Sequence, residues 1–346
     1  GSLIAANQAE LQVTGDLRNG GTIAGRQVLT ISAENLVNQG LIGGGQVARQ
    51  AQQDITNIGG TVRATTALTL GAGRDLKVTS TTSEQANAQG RQVQVDRVAG
   101  LYVSDPAGTL VARAGRDVQI TAAVVRSEGS AQVVAGRDLV VDTLQTHSSQ
   151  DLRWDAQNAR REATSAEVGS QLSARGAVTL EAGQDLRVRA ASVRSDEGAA
   201  TLSAGRDVRL EAGEARQQLD LSHQHTSRDT LSSETVRKTL HLDETSAQVA
   251  QVEGRSVRVE AGRDLRATGA QIVGDGAVSL RAAGDITLES ARDRSERQSV
   301  DESRRTGVFG SGGTGFTRLA MRAPMARPKH TAMRTASPFS TGSTPG

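Results

Sequence analysis

The chain has 346 residues, of which 1% are aromatic, 38 are glycine, five are proline and none is cysteine. This composition excludes disulfides and thiolate metal sites. It also argues against one large globular core, because such cores draw heavily on aromatic rings. Residues 318–346 hold five cations and no acid, so residues 1–317 carry a net charge of −3 although the whole chain carries +2. The positive charge therefore does not argue that residues 1–317 bind nucleic acid.

The N-terminal part of the chain contains a short motif, Asn followed by Gly and an apolar residue, three times at intervals of 19 residues. The copies begin at Asn19, Asn38 and Asn57. A unit of this length with short strands cannot bury its apolar face alone, so successive copies must stack as the coils of a β-solenoid. We therefore predict that residues 1–79 form coils with a period of 19 to 21 residues.

A second motif, Ala-Gly-Arg-Asp before an apolar residue, begins at Ala72 and recurs towards the C-terminus. Apolar residues alternate on both sides of the glycine, which indicates a strand, a turn and a second strand. Aspartates stabilise turns by accepting hydrogen bonds from backbone amides, and we expect the glycine to adopt a conformation closed to other residues. The predicted turn ladder consists of Gly73, Asp75, Gly115, Asp117, Gly136, Asp138, Gly183, Asp185, Gly205, Asp207, Gly262, Asp264 and Asp285.

Arginines accompany most of these aspartates. Carboxylates stacked about 4.8 Å apart would repel one another by about 0.9 kcal/mol in water, and a neighbouring row of cations offsets that repulsion. The predicted cation row consists of Arg74, Arg116, Arg137, Arg206 and Arg263.

Polar segments separate pairs of these coils at about residues 142–170, 214–252 and 290–317. Insertions in a solenoid emerge on one face, so we interpret these segments as protruding hairpins or flexible loops of a second region, residues 80–317. Two interpretations of residues 80–105 remain open. The segment is either an earlier insert or a degenerate coil marked by Asp96, which lies 21 residues from both Asp75 and Asp117.

Residues 1–317 resemble the filamentous haemagglutinins and the related effectors of contact-dependent growth inhibition, which are exported by two-partner secretion. The Asn-x-Gly coils look like the haemagglutinin repeats of that family, and the paired Ala-Gly-Arg-Asp coils look like its second repeat class. The segment 307–317, Gly-Val-Phe-Gly-Ser-Gly-Gly-Thr-Gly-Phe-Thr, resembles the sequence that often closes an insert of that class.

The resemblance implies an all-β fold, a right-handed parallel β-helix with polar inserts that protrude from the coils. It implies a structural shaft outside a Gram-negative cell, secreted or at the cell surface, that mediates cell contact. The expected partners are a host or neighbouring bacterial cell surface and the outer-membrane transporter of the parent protein, with no nucleic acid and no membrane span. An alternative within the family is a target-facing delivery segment of a growth-inhibition toxin.

The pattern stops after Thr317, and residues 318–346 lack alternation and carry all three methionines. We predict a disordered basic tail and interpret it as the product of a frameshift, with a natural basic linker as the alternative. The sequence also predicts a non-enzyme without cofactors. The polysaccharide lyases and hydrolases that share the β-helix fold need clustered carboxylates, whereas the acids here are periodic.

Two metal sites can be considered from the sequence. His223 and His225 share one strand face, and His147 and His241 lie in other inserts, but no cluster of acids completes a ligand set. The aspartate row has the wrong period for a calcium-binding β-roll, and arginine beside most of the aspartates opposes a cation. We therefore predict no metal site.

Overall fold

The computed structural model describes residues 2–310, 316–326 and 330–335, with side chains described as far as residue 307. The described residues form 35 strands in three sheets and contain no helix. Two of the sheets are parallel and wind together as a β-helix, and the third is antiparallel. The predicted all-β, parallel β-helical fold is confirmed.

The first parallel sheet has 16 strands. They are β1 (Leu3–Gln12), β3 (Thr22–Ala33), β5 (Leu41–Ala51), β7 (Thr61–Ala72), β11 (Gly100–Val103), β12 (Thr109–Ala114), β14 (Val124–Ser127), β15 (Ser130–Ala135), β19 (Gln171–Ala174), β20 (Val178–Ala182), β22 (Ser192–Ser195), β23 (Ala199–Ala204), β27 (Ala250–Gly254), β28 (Ser256–Ala261), β30 (Ala270–Gly274) and β31 (Val278–Ala282).

The second parallel sheet has ten strands, one for each coil. They are β2 (Leu17–Asn19), β4 (Leu36–Asn38), β6 (Ile55–Ile58), β8 (Leu76–Thr79), β13 (Val118–Thr121), β16 (Leu139–Asp142), β21 (Leu186–Arg189), β24 (Val208–Glu211), β29 (Leu265–Thr268) and β32 (Ile286–Glu289).

The antiparallel sheet is built from the polar inserts, and we call it the insert sheet. Its strands are β9 (Thr82–Asn87), β10 (Gly90–Val95), β17 (Leu144–Arg153), β18 (Ala159–Val168), β25 (Gly213–Arg228), β26 (Ser232–Gln248), β33 (Arg292–Gly310), β34 (Phe316–Ala326) and β35 (His330–Thr335).

Each later coil contributes three short strands, whereas the first coils fuse two of them into one long strand. The transition takes place at β7, whose first half pairs with β11 and whose second half pairs with β12. Short strands separated by turns give each coil three sides around a narrow core. Alternate positions of every strand point inwards. Because the coil is narrow, these positions hold small and branched apolar residues.

In-register stacks of inward-facing side chains form the core. One stack in the second sheet runs Leu17, Leu36, Ile55, Leu76, Val118, Leu139, Leu186, Val208, Leu265 and Ile286. A parallel strand shifted by one residue would turn this whole set outwards. The apolar alternation in the sequence therefore fixes the register from coil to coil.

The corner after the second sheet takes two forms. From the coil of β6 onwards, coils that continue directly turn at a residue with positive φ, namely Gly59 (57°), Ala122 (47°), Ala190 (44°) or Gly269 (60°). The remaining four of these eight coils release an insert after the equivalent residue, which is Ser80, Thr143, Ala212 or Ser290. The two forms alternate strictly from the coil of β6 onwards, so every second coil carries an insert.

The structure resolves the two interpretations of residues 80–105 in favour of an insert. Strands β9 and β10 form an antiparallel hairpin in the insert sheet, and Asp96 lies at its foot. Asp75 and Asp117 occupy adjacent coils, since the amide of Asp117 donates to the carboxylate of Asp75. The interval of 42 residues from Asp75 to Asp117 therefore makes one coil with an insert, and Asp96 marks no coil.

Described parts of the tail are strands instead of the predicted disordered chain. β34 and β35 both pair with β33 in antiparallel register. The outer edge of β33 offers unpaired backbone groups, which an extended chain of any sequence can satisfy. The remaining tail residues lie outside the described residues.

Candidate functional site

The predicted turn glycines form a continuous column, but for a different reason from the one expected. None of Gly73, Gly115, Gly136, Gly183, Gly205 and Gly262 has a positive φ. A Cβ atom on Gly205 would instead overlap the carbonyl oxygen of Gly183, and one on Gly262 would overlap that of Gly205. The expectation of a special backbone conformation was wrong, because close approach between successive coils is what requires glycine here.

The predicted aspartates form a ladder along the same corner. The backbone amide of each aspartate donates to Oδ1 of the aspartate one coil below, for example Asp138 to Asp117 at 3.3 Å and Asp285 to Asp264 at 3.0 Å. Each carboxylate therefore caps the turn of the next coil, as turn aspartates do within one chain segment. The ladder holds adjacent coils at a fixed distance.

Five arginines bind the ladder carboxylates from the coil above. Arg116 contacts Asp75 through Nε at 2.9 Å and Nη2 at 2.5 Å, and the other pairs have the same bidentate form. The arginine–aspartate pairs are Arg74 with Asp54, Arg116 with Asp75, Arg137 with Asp117, Arg206 with Asp185 and Arg263 with Asp207. Bidentate pairing of this kind neutralises the carboxylate row.

The arginines also change the acidity of the carboxylates that they bind. The Arg116 guanidinium holds the pKa of Asp75 below its ordinary value, and Arg263 does the same for Asp207. The effect at Asp207 involves a side chain only 5% exposed, which Arg209 also approaches at 3.2 Å. Asp207 is therefore the most enclosed member of the described ladder.

The ladder is longer than the sequence motif suggested. Arg74 binds Asp54, whose amide in turn donates to the side-chain oxygen of Asn35 at 3.2 Å. Asn35 then donates to Asp16 at 2.8 Å. These three residues lack the Ala-Gly-Arg context. Their position directly before the apolar residues Leu17, Leu36 and Ile55 was the signal that could have located them.

A second ladder, of buried amides, was missed. Nδ2 of Asn19 donates to Oδ1 of Asn38 at 2.8 Å, and Nδ2 of Asn38 donates to Oδ1 of Asn57 at 2.7 Å. Asn57 closes the series by donating to the Gly60 carbonyl at 2.7 Å. The 19-residue repeat of asparagine was visible in the sequence, but we interpreted it only as the mark of a coil, whereas these side chains point into the core.

The inserts join edge to edge. β10 of the first insert pairs with β17 of the second, β18 pairs with β25 of the third, and β26 pairs with β33. The strands lengthen along the series, from six residues in β9 to 19 in β33. The insert sheet therefore widens towards the C-terminal end of the shaft.

The pairing of coils follows from the spacing of this sheet. Neighbouring strands lie about 4.8 Å apart in either kind of sheet, so two stacked coils rise by about 9.6 Å. A hairpin contributes two antiparallel strands, which also occupy about 9.6 Å. One hairpin per two coils thus keeps the insert sheet in step with the β-helix, and this match gives a physical reason for the two-coil repeat unit.

Comparison with known families agrees with this architecture. The family model described as Hemagglutinin repeat matches residues 155–235 and 231–330, which together cover half of the chain. The chain belongs to the haemagglutinin-repeat family. The second match continues to residue 330, so family similarity does not end at Thr317 as we predicted. No curated protein and no solved structure matches the chain.

Membership of the haemagglutinin-repeat family makes the chain an adhesin-like shaft segment, of a kind that is typically structural or adhesive and found on secreted or surface proteins. The described residues contain no helix long and apolar enough to cross a membrane. The predicted shaft role is thereby confirmed at this level.

The histidines of this haemagglutinin-repeat chain lie in the insert sheet. His147 is in β17, His223 and His225 are in β25, and His241 is in β26. Nδ1 of His241 lies 2.5 Å from Asp220 in a cross-strand row with Arg161 and Asp151. Within the part of the chain that the structure describes, no three His, Asp or Glu side chains are grouped as a metal site would require.

Proposed function

We propose that this chain is the part of a surface adhesin that holds a contact region away from a Gram-negative cell and presents it to another cell. The observation that carries this proposal is the insert sheet, in which four inserts join along one face of the β-helix. A continuous parallel stack resists bending because every coil is bonded above and below. The insert sheet adds a broad polar surface to that support.

The proposal places the segment outside the outer membrane, after export through a dedicated transporter in that membrane. A chain without cysteine needs no oxidative step to fold after export. Ladders between adjacent coils let each coil fold on the one before it, which suits a chain that emerges from one end.

A cell-binding measurement tests the proposal. The purified chain, labelled with a fluorophore, is titrated onto intact Gram-negative bacteria and onto erythrocytes. We expect saturable binding to at least one of these cell types, and no release of unsaturated sugar from acidic polysaccharides with or without calcium. Failure to bind either cell type would contradict the adhesive role, and sugar release would support an enzyme of the β-helix class.

A further inference from the structure

The tip of the second insert, between β17 and β18, carries the single tryptophan of the chain. The Trp154 residue is 67% exposed, although tryptophan buries some 150–250 Å² when it packs. Only five residues of the whole chain are aromatic. A large apolar ring held in water at the end of a polar hairpin has no structural task in the hairpin itself.

The loop that presents Trp154 is rigidly hydrogen-bonded. The amides of Trp154 and Asp155 donate to the Asn158 carbonyl at 3.0 and 3.3 Å, and the amides of Gln157 and Asn158 donate to Asp155 Oδ1 at 2.8 and 2.7 Å. The Asn158 side chain also donates to Asp155 Oδ2 at 2.8 Å. These bonds hold the pKa of Asp155 below its ordinary value, with the Asn158 side chain making the largest contribution.

The neighbouring insert braces this loop. The Asn158 side chain accepts a hydrogen bond from the Gln224 amide at 2.8 Å and donates to the Gln224 carbonyl at 3.3 Å. Gln224 belongs to β25, so two inserts together fix the position of the loop. A loop whose backbone is held in place before binding loses less conformational entropy when a partner binds it.

An uncompensated cation accompanies the ring. Arg153 donates through Nε to the Asp155 carbonyl at 3.3 Å, and its guanidinium makes no ion pair with any described side chain. Arg160 and Arg161, in contrast, bind Glu162 at 2.6 Å and Asp151 at 2.8 Å. The tip therefore presents one tryptophan and one arginine outside any ion pair, while the Asp155 carboxylate is engaged by donors of its own loop.

We propose that Trp154 and Arg153 form a binding knob that enters an apolar pocket with an acidic rim on a protein of the contacted cell. A convex tip needs a concave partner, and tryptophan and arginine are the residue types that most often dominate protein–protein binding. The inference rests on the proposed function and names the part of the segment that makes contact.

Binding by variants tests the knob. Labelled Trp154→Ala, Arg153→Ala and Leu231→Ala chains are titrated onto the same cells as the unaltered chain. Loss of an interface anchor typically costs 2 kcal/mol or more, so we expect Trp154→Ala to weaken binding by about 30-fold or more and Arg153→Ala to have a smaller effect. Leu231 is the matched control, because it is 66% exposed at the tip of the third insert.

Two further arms identify the source of the pocket. Protease treatment of the cells should abolish binding, and vesicles of phosphatidylcholine, with or without phosphatidylglycerol, should bind the unaltered chain and Trp154→Ala equally weakly. Equal cell binding by the unaltered chain and Trp154→Ala would overturn the knob and leave the adhesive role intact. Trp154-dependent binding to vesicles would overturn it in favour of a lipid surface, and no cell binding by the unaltered chain would overturn both proposals.

Discussion

The first coils and the insert-bearing coils share one ladder but differ in their interior. The ladder that begins at Asp16 continues through both regions. In the second sheet, the inward position occupied by Asn19, Asn38 and Asn57 is taken over by Val78 in the next coil. From there apolar residues follow, namely Ile120, Val141, Val188, Leu210, Ala267 and Leu288.

This difference shows that the coil shape does not depend on one kind of core. A buried amide is tolerated when its hydrogen bonds are satisfied, and the stack achieves this by letting each amide bond the next. An apolar residue at the same position needs no hydrogen-bond partner. The column of turn glycines, in contrast, begins only at Gly73, because Gln52 stands at the equivalent position in the coil before it.

The largest expected effect concerns that turn column. Gly205→Ala should reduce the free energy of unfolding by several kcal/mol, on the order of an overpacked core site, because the added Cβ would overlap the Gly183 carbonyl. Gly15→Ala is the matched control, since nothing lies within 4 Å of a Cβ at that position. It should be neutral or slightly stabilising. Urea denaturation followed by circular dichroism measures both, and equal losses would contradict the close-approach explanation.

The second prediction concerns variants in which the buried asparagines of the first coils are replaced by valine, the residue found at this position in the next coil, at Val78. Asn38→Val should cost about 2–3 kcal/mol, because it removes the acceptor of the Asn19 Nδ2 bond and the donor to Asn57 Oδ1, both of them buried. The triple change of Asn19, Asn38 and Asn57 to valine should cost less than the sum of the three single changes, since it gives these coils the interior that follows at Val78. Strict additivity in denaturation experiments would show that the amides act independently.

The third prediction concerns a polar core residue without such a ladder. Arg49 is 1% exposed and lies between Ile31 and Leu70 in the stack, and its guanidinium has no hydrogen-bond partner among the described residues. Arg49→Leu should raise the free energy of unfolding by about 2–4 kcal/mol, since an unpaired buried charge is removed. A lower thermal midpoint for the variant would contradict this.

The pH dependence of stability, compared between the unaltered chain and Arg49→Leu, gives a second test of the same explanation. Burial lowers the pKa of Arg49 to about 9, well below its ordinary value. The unfolded chain therefore binds more protons than the folded chain between these two values, and stability contributed by this group rises with pH there. The difference in the free energy of unfolding between Arg49→Leu and the unaltered chain should be largest below about pH 9 and should become smaller above it.

The fourth prediction concerns the ladder carboxylates. The pKa values of Asp54, Asp75, Asp185 and Asp207 are lowered, chiefly by hydrogen bonds from arginine. Their stabilisation is therefore present above the unfolded value of about 3.9 and is lost as pH falls through the folded values. We expect thermal stability to be level near neutral pH and to decline below about pH 4.

A variant isolates the arginine contribution. Arg206→Gln reproduces what the chain has at Gln184 and should lower the thermal midpoint at pH 7, because Asp185 loses its bidentate partner. The difference from the unaltered chain should disappear near about pH 2, where the carboxylates are protonated in both states. Arg153→Gln is the control and should leave the midpoint unchanged at both pH values.

The smallest expected effect lies in the insert sheet. Ser232→Val at the tip of the third insert should change the free energy of unfolding by less than about 0.5 kcal/mol, as surface substitutions usually do. A loss as large as that of Gly205→Ala would show that the inserts, and not the coils, govern stability.

The sequence by itself determined the coil, its register and its turns. Period-two alternation around a repeated Gly and Asp leaves a stacked parallel strand as the arrangement that buries every apolar face, and spacings of 19 to 22 residues set the size of each coil. The residues of the Asp75 and Gly205 series could be named because each recurs in the same local context. The family resemblance rested on the same recurrence.

Only the tertiary structure decided what depends on neighbours distant in sequence. The turn glycines are required by a carbonyl of another coil, as at Gly205 and Gly183, and no local pattern reports that approach. The inserts lack a strong apolar alternation because both faces of their sheet are hydrated, so their pairing, such as β18 with β25, left no mark in the sequence. Asn38 and Arg49 read as surface residues from their chemistry, and stacking alone places them in the core.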